Sequence, residues 1–459
     1  MDCARRKFPS IPFLIITLLC GWIAPLYAGA SVVHPVKTRV NGAAVWNIKT
    51  TWMRVLSGSI STTIGVATVT GSGGSKFTTE LAVNDELVQD DGTELGTVMS
   101  ITNDTTLTLS AGALATFSGA YGNELIPAGT DDVEIGNAVL GGDVTVNLDI
   151  STSVNSLRIA NAGEATNSVL NLQDKQLDVT TDVILETPGA TVLDLGGTNQ
   201  LQANTGTLNM RDLVLDQSLA ASNAQSVILS IDNGTVSINR DAYLLNAGPG
   251  FTDLENTGSG TLNLFGAFDG FNRYNAGGTN NVAYLGTGNQ LVHALPYYNL
   301  KIAGARGANT VTFDTGTHQV FATIDASATF TTGGYAKAGP FTIQLTGNAL
   351  QSIIGVAGNP LVLDNLELRD PPGLAINKDV VINGDLHILS GKVLVSQTNK
   401  MVIGPVGTVS AATSARYIVG KFEKVFAPGN GQLFVAPIGD NTQYTPIVVQ
   451  SLNATRRVR

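Results

Sequence analysis

Residues 156–215 read SLRIANAGEATNSVLNLQDKQLDVTTDVILETPGATVLDLGGTNQLQANTGTLNMRDLVL. Apolar side chains recur there in pairs with one residue between them: Leu157-Arg-Ile159, Leu170-Asn-Leu172, Leu177-Asp-Val179, Val183-Ile-Leu185, Leu193-Asp-Leu195, Leu208-Asn-Met210 and Leu213-Val-Leu215. A period of two puts alternate side chains on opposite faces of an extended chain, so each pair predicts a short strand with one buried face. Gly, Asn, Asp and Thr fill the intervals, and these residues favour turns. Val236-Ser-Ile238 and Leu262-Asn-Leu264 continue the pattern. Beyond Ala30 no segment keeps apolar residues at i, i+3, i+4 and i+7 for three turns, which argues against long helices. Leu193-Asp-Leu195 resembles Leu170-Asn-Leu172, and the interval between them is close to the length of one solenoid coil. The expected fold is all-β, a right-handed parallel β-solenoid over 31–56 and 122–270. Stacked β-sandwich modules use the same short strands and compete with it.

Residues 1–30 order a basic start (Arg5, Arg6, Lys7), an apolar run from Ile11 to Cys20 and small residues at Ala28-Gly-Ala30. That order predicts a secretory signal peptide over 1–30, cleaved after Ala28 or Ala30. Ser10, Pro12, Thr17 and Pro25 leave the apolar run short of a membrane-spanning helix. Cys3 and Cys20 are the only cysteines, so the cleaved chain would carry no disulfide, thiol nucleophile or cysteine metal ligand. Leu19 stands before Cys20 where a lipoprotein signal has a small residue. Cleavage leaves 23 basic against 35 acidic side chains, a net charge of −12, which disfavours nucleic acid as a partner. Hydrophobic residues make up 43% and charged residues 14%, a composition that builds a core and does not favour disorder.

Residues 57–121 differ in texture. Alternating strand-like stretches over 58–74, Lys76-Phe-Thr-Thr-Glu-Leu-Ala-Val-Asn-Asp-Glu-Leu-Val88, Gly96-Thr-Val-Met-Ser-Ile101 and Thr105-Thr-Leu-Thr-Leu109, with a turn at Asp91-Gly92, predict a small antiparallel β-barrel or sandwich of about five strands. It resembles small β modules of phage tail and bacterial surface proteins. Trp46 and Trp52 upstream and Asp131-Asp-Val-Glu-Ile135 downstream resemble segments that sit together at the mouth of a solenoid in secreted Bacteroidetes proteins. The module therefore reads as an insertion; a separate N-terminal domain on a linker is the alternative.

NNVAYLGTGNQLVHALPYYNLKIAG at 280–304 resembles a repeat of large Bacteroidetes surface proteins, cargo of type IX secretion. Its pattern is Val282-x-Tyr284-x-Gly286-x-x-x-Gln290 followed by Tyr297-x-Asn299-Leu300. A looser copy runs through Gly347 and Gln351 to Leu363-Asp-Asn-Leu-Glu-Leu368, and Val380-Val-Ile-Asn-Gly-Asp-Leu-His-Ile388 follows it. The resemblance implies solenoid repeats over 271–410. Tyr417-Ile-Val-Gly-Lys-Phe422 and Gly431-Gln-Leu-Phe-Val-Ala-Pro-Ile-Gly-Asp440 resemble the segment that closes such a solenoid and opens a β-sandwich. It implies an incomplete C-terminal sandwich over 411–459, with the sorting domain of that group not represented before Arg459. Export machinery and cell-surface placement are what the resemblance implies.

Catalysis on polysaccharides needs convergent ionisable groups. Asp131-Asp132 is the one acidic pair opening a strand, and a turn role accounts for it. His34, His293, His318 and His387 stand isolated from one another in the chain, unlike zinc ligands. Asp90-Asp91-Gly92 and Thr130-Asp131-Asp132 offer oxygens to calcium but match no calcium loop. Gly71-Ser-Gly-Gly74 lacks the Lys-Ser/Thr of a phosphate loop, and the Thr-rich strands lack a regular Thr-x-Thr ladder. No catalytic residue, metal site or cofactor is therefore expected. Aromatic residues are the candidates for ligand contact: Tyr297, Tyr298, Phe268 and Phe271, with Phe265 nearby. Tyr298 also fits a packing role in the repeat. The expected function is an exported structural or adhesin-like repeat protein without enzymatic activity, with extracellular glycans or surface proteins as partners. A carbohydrate-binding or polysaccharide-processing solenoid is the alternative.

Overall fold

The structure, a computed structural model, describes residues 35–39, 42–136, 142–160, 166–187, 198–218, 220, 225–370, 372–429, 431–451 and 457–458. Residues 1–30, expected as a signal peptide, His34 and Leu193-Asp-Leu195 lie outside the described residues. The fold is all-β with extensive parallel sheet. Its helices among the described residues are the single turns Lys49–Thr51 and Phe77–Glu80, the latter burying Phe77 where alternation predicts a strand.

Each expected apolar pair that is described lies in a strand or at its edge, and parallel pairing then stacks one pair on the next. A central ladder places Leu177, Leu208, Val236, Leu262, Val282, Leu300, Ile324, Ile353, Ile376 and Val395 in one inward column. The shortest step along it runs from Val282 to Leu300 and the longest from Leu177 to Leu208. All of these side chains are buried, each contributing about 1.5–3 kcal/mol through removal from water. Leu170 stacks on Leu201, so the step there is longer than the Leu170–Leu193 interval that the sequence suggests.

Two further ladders flank the central one in the first half. One runs Val36, Val133, Leu157, Val183, Leu213, Ala242 and ends at a bridge to Phe268. The other runs Ala44, Val146, Leu170, Leu201, Leu229, Leu254 and ends at Tyr274. New flanking ladders begin at strands Gln290–Val292 and Pro296–Ile302. Among the described residues only the central ladder joins the layer of Leu262 to that of Val282, leaving a seam across the stack. Turns also repeat by layer: Gln173, Asn204 and Asp232 adopt φ of 54°, 49° and 50°, a left-handed conformation that Asn and Asp tolerate.

The repeated Gly-x-x-x-Gln motif has the same role in both copies. The Gln290 amide donates to the carbonyls of Leu264 (3.0 Å) and Gly266 (2.9 Å), and the Gln351 amide to Val320 (2.8 Å), each in the preceding layer. A Cβ on Gly286 would stand 2.2 Å from the Phe265 carbonyl, and one on Gly347 1.9 Å from that of Phe321. Glycine is needed at both because backbone passes directly over backbone.

Residues 57–121 hold their own core of Ile60, Val69, Phe77, Leu87, Val98 and Leu107. Their strands are antiparallel, as expected from sequence: strand Phe117–Gly119 pairs with Ser59–Thr62, and Tyr121–Glu124 with Glu86–Gln89 and Trp52–Val55. Val36–Thr38 pairs in parallel with Asp132–Ile135, so the chain leaves the stack after one layer and rejoins the adjacent position. The Trp52 indole donates to the Trp46 carbonyl at 2.7 Å beside that junction. At the other end the central ladder continues through Ile418–Val419 to Ile438–Gly439, which lies between the two strands of the hairpin Gln432–Ala436 with Ile447–Ser451.

Candidate functional site

A cleft of about 270 Å³ opens at the seam. Phe268 and Phe271 come from the layer in which two ladders end, and His293 and Leu295 from the next layer. No strand pairing among the described residues bridges the layers at that point, so the notch stays unfilled. The Phe268 and Phe271 rings lie 5.4 Å apart, tilted by 31°, and the His293 ring meets Phe268 edge-on at 5.9 Å. Phe268 is buried and Phe271 half-buried.

His293 sits between two carboxylates. Asp269 approaches its Nε2 at 3.6 Å and Asp314 its Nδ1 at 3.6 Å. Both contacts exceed hydrogen-bond length, and Nε2 is buried without a hydrogen-bond partner among the described residues. Asp269 is exposed and Asp314 partly so. The Arg273 guanidinium is committed to Asp253 through both arms and lies 3.6 Å over the Phe251 ring. Hydrogen bonding to Asp253 raises the Arg273 pKa further, so its charge is spent locally.

Beneath the cleft the tyrosines form a buried network. The Tyr284 and Tyr297 hydroxyls lie 3.0 Å apart, and Tyr297 donates to the His293 carbonyl at 2.6 Å. Burial pushes Tyr284 up to about 12 and Tyr297 well above the ordinary phenol range. Arg306, 1% exposed, donates to the carbonyls of Tyr284 and Ala303 at 3.0 Å each and to Gln290 Oε1 at 2.7 Å. Desolvation lowers it to about 10.

No protein-family model, curated protein or solved structure matches this chain. The cleft's own geometry therefore carries the functional reading.

Of the four aromatic candidates, Phe268 and Phe271 meet in the cleft. Tyr297 has no exposed surface and supports the His293 backbone instead of facing a ligand. Tyr298 follows it on the strand and is half-buried; it is not among the cleft residues. Phe265 is 40% exposed and also stands apart. Asp269, His293 and Asp314 escape a search for short spacings because each belongs to a different layer of the stack. In a stacked fold a separation of one step means contact, and that period is the signal that would have found them.

The remaining candidates have structural partners. Asp131 accepts from Arg54 (2.7 Å) and the Ala128 amide (2.8 Å), and Asp132 from Asn155 (2.7 Å) and Ser156 (2.6 Å). Asp91 accepts the Thr93 amide at 2.9 Å in its turn. Burial keeps His318 below the usual imidazole range, and His387 faces Glu367 at 3.6 Å. Among the described residues no three His, Cys, Asp or Glu side chains are grouped to hold a metal ion. No helix among them is long and apolar enough to cross a membrane.

The outward face of the central ladder shows an order that the irregular Thr pairs concealed. Thr207, Thr235 and Thr261 stack in one outward column, with Asn209, Ser237 and Asn263 beside it. The amides beside it bond along the column: Asn209 donates to Asp178 (2.8 Å), Asn263 to Ser237 (3.2 Å) and Asn299 to Asn281 (2.9 Å).

Proposed function

We propose that the chain is an exported β-solenoid of the Bacteroidetes surface-repeat kind, acting as a structural or adhesive scaffold whose function lies in reach and surface contact instead of catalysis. The inward column from Leu177 to Val395 carries this reading. Each layer buries its apolar side chains mainly on its neighbours, the quasi-one-dimensional arrangement of solenoids. The N-terminal signal pattern and the repeat at 280–304 add the exported, surface-repeat character.

X-ray scattering on the mature chain tests the architecture. A compact domain of this length has a radius of gyration of about 22 Å, and a solenoid with layers about 4.8 Å apart should exceed it clearly. A value at or below that of a compact domain breaks the solenoid reading. N-terminal sequencing of protein recovered outside the cell should begin at Gly29 or Ser31; retention of Met1 in a cytoplasmic fraction breaks the export reading.

The seam cleft favours a second reading, contact with carbohydrate. Two neighbouring phenylalanine rings beside carboxylates with exposed surface form a mixed apolar and hydrogen-bonding cleft of the kind that orients small polar ligands.

A further inference from the structure

We infer that the seam cleft binds one neutral pyranose unit of an extracellular glycan, with Phe271 as its platform and Asp269 as its hydroxyl acceptor; this rests on the carbohydrate reading above. The platform comes first. Phe271 is half-buried and braced by Phe268 at 5.4 Å, so one ring is held still while part of it meets solvent. An aromatic face is electron-rich, and the C–H face of a pyranose presents weakly positive hydrogens to it.

The rim supplies what the hydroxyls of such a ring require. Of the two carboxylates on either side of His293, exposed Asp269 lines the cleft, while the partly exposed Asp314 stands behind the imidazole and is not a lining residue. An ionised carboxylate accepts two hydrogen bonds at once, which suits neighbouring sugar hydroxyls. His293 Nε2 lacks a hydrogen-bond partner among the described residues, and a buried polar atom left in that state costs stability until a ligand or water satisfies it.

Charge selects the class of sugar. Around the cleft Asp269 and Asp314 face His293, while Arg273 is tied up by Asp253. Among the described cleft residues no free cation is offered to a carboxylate or sulfate, and the two aspartates repel one, so uronic acids and sulfated sugars are disfavoured. Size narrows the ligand further: 270 Å³ lies just under the range of about 300–1,000 Å³ typical of sites for drug-sized molecules, room for one ring with the rest of the chain outside.

The test is calorimetric titration of the mature protein with cello-, manno-, galacto- and chito-oligosaccharides, and with oligogalacturonate as the anionic probe. At least one neutral series should bind, and oligogalacturonate should not. Phe271→Ala should weaken binding by about tenfold or more, the effect of losing ~1.4 kcal/mol, and Asp269→Asn several-fold, whereas Tyr298→Ala should leave it unchanged. Phe271→Leu, which keeps the packing, separates loss of the ring from loss of the fold. Neutral binding unaffected by Phe271→Leu and Asp269→Asn overturns the cleft but leaves the carbohydrate reading standing. Tighter binding of oligogalacturonate overturns the neutral class, and absence of binding across the panel by folded protein overturns both.

Discussion

The layers at 341–410 and the seam at 262–302 are built from the same inward aliphatic residues but are tied together differently. At 341–410 the central ladder and both flanking ladders run unbroken: Ile353 to Ile376 to Val395, Leu345 to Leu368 to Ile388, and Leu361 to Val380 to Met401. At the seam the central ladder alone crosses among the described residues, and buried polar groups, Gln290, Arg306, Tyr284 and Tyr297, take over part of the connection. An interrupted ladder opens a cleft, and the polar network beneath holds the layers in place. The seam is thus where the stack gives up regularity and exposes the cleft proposed above as a binding surface.

Alkaline pH should break the comparison most strongly. Tyr284 and Tyr297 have folded pKa values raised above the unfolded phenol. The folded state therefore keeps protons that the unfolded state releases, and the stability these groups give is complete below about pH 10 and lost above it. Tyr284 alone, raised to about 12, implies roughly 3 kcal/mol lost across that window. Arg306, lowered to about 10, releases its proton earlier in the folded state and offsets part of the loss. Residues 341–410 contain no tyrosine. Mapped proteolysis between about pH 9 and 12 should therefore open 262–306 first; simultaneous cleavage throughout would deny the seam its separate character.

Glycine substitutions sharpen the contrast next. Gly347→Ala drives a Cβ to 1.9 Å from the Phe321 carbonyl among fully paired layers, and Gly286→Ala to 2.2 Å from the Phe265 carbonyl at the seam. Urea midpoints should show a cost near the top of the ~1–3 kcal/mol range for overpacking at Gly347 and lower in that range at Gly286, where fewer ladders resist separation. Equal costs would mean that the seam is as stiff as the rest.

Glutamine substitutions should reverse that order with the smallest effect. Gln290→Met removes partners from two carbonyls, the Gly286 amide and buried Arg306, at roughly 2 kcal/mol. Gln351→Met removes one of two donors from the Val320 carbonyl, which keeps the Thr346 amide at 3.1 Å, at no more than roughly 1 kcal/mol. Thermal melting of the two variants decides it.

The sequence made the strands legible because apolar pairs such as Leu208-Asn-Met210 need only local alternation to be recognised. It was less informative about stacking, since steps as unequal as Val282 to Leu300 and Leu177 to Leu208 absorb loops of different length and blur any fixed period. The break in the flanking ladders at Phe268 and Tyr274 has no local signature, because it depends on which layer each strand finds. Phe268 and Phe271 were visible as aromatic residues in a glycine-rich loop. Asp269, His293 and Asp314 were not visible as a group, because the spacing that joins them is a whole step of the stack. The helical turn at Phe77–Glu80 was hidden by β-like composition; the Thr78 amide finds Asp104 at 3.1 Å, a partner from a distant hairpin.

Unequal layer lengths have a mechanical consequence. Held by its two ends and drawn apart, the chain would surrender slack in increments set by the ladder steps, at up to about 3.6 Å per residue. The short step from Val282 to Leu300 and the long one from Leu177 to Leu208 would differ almost twofold in length released. The order of long and short increments in a force trace would record which layers had let go, with the seam expected to yield first.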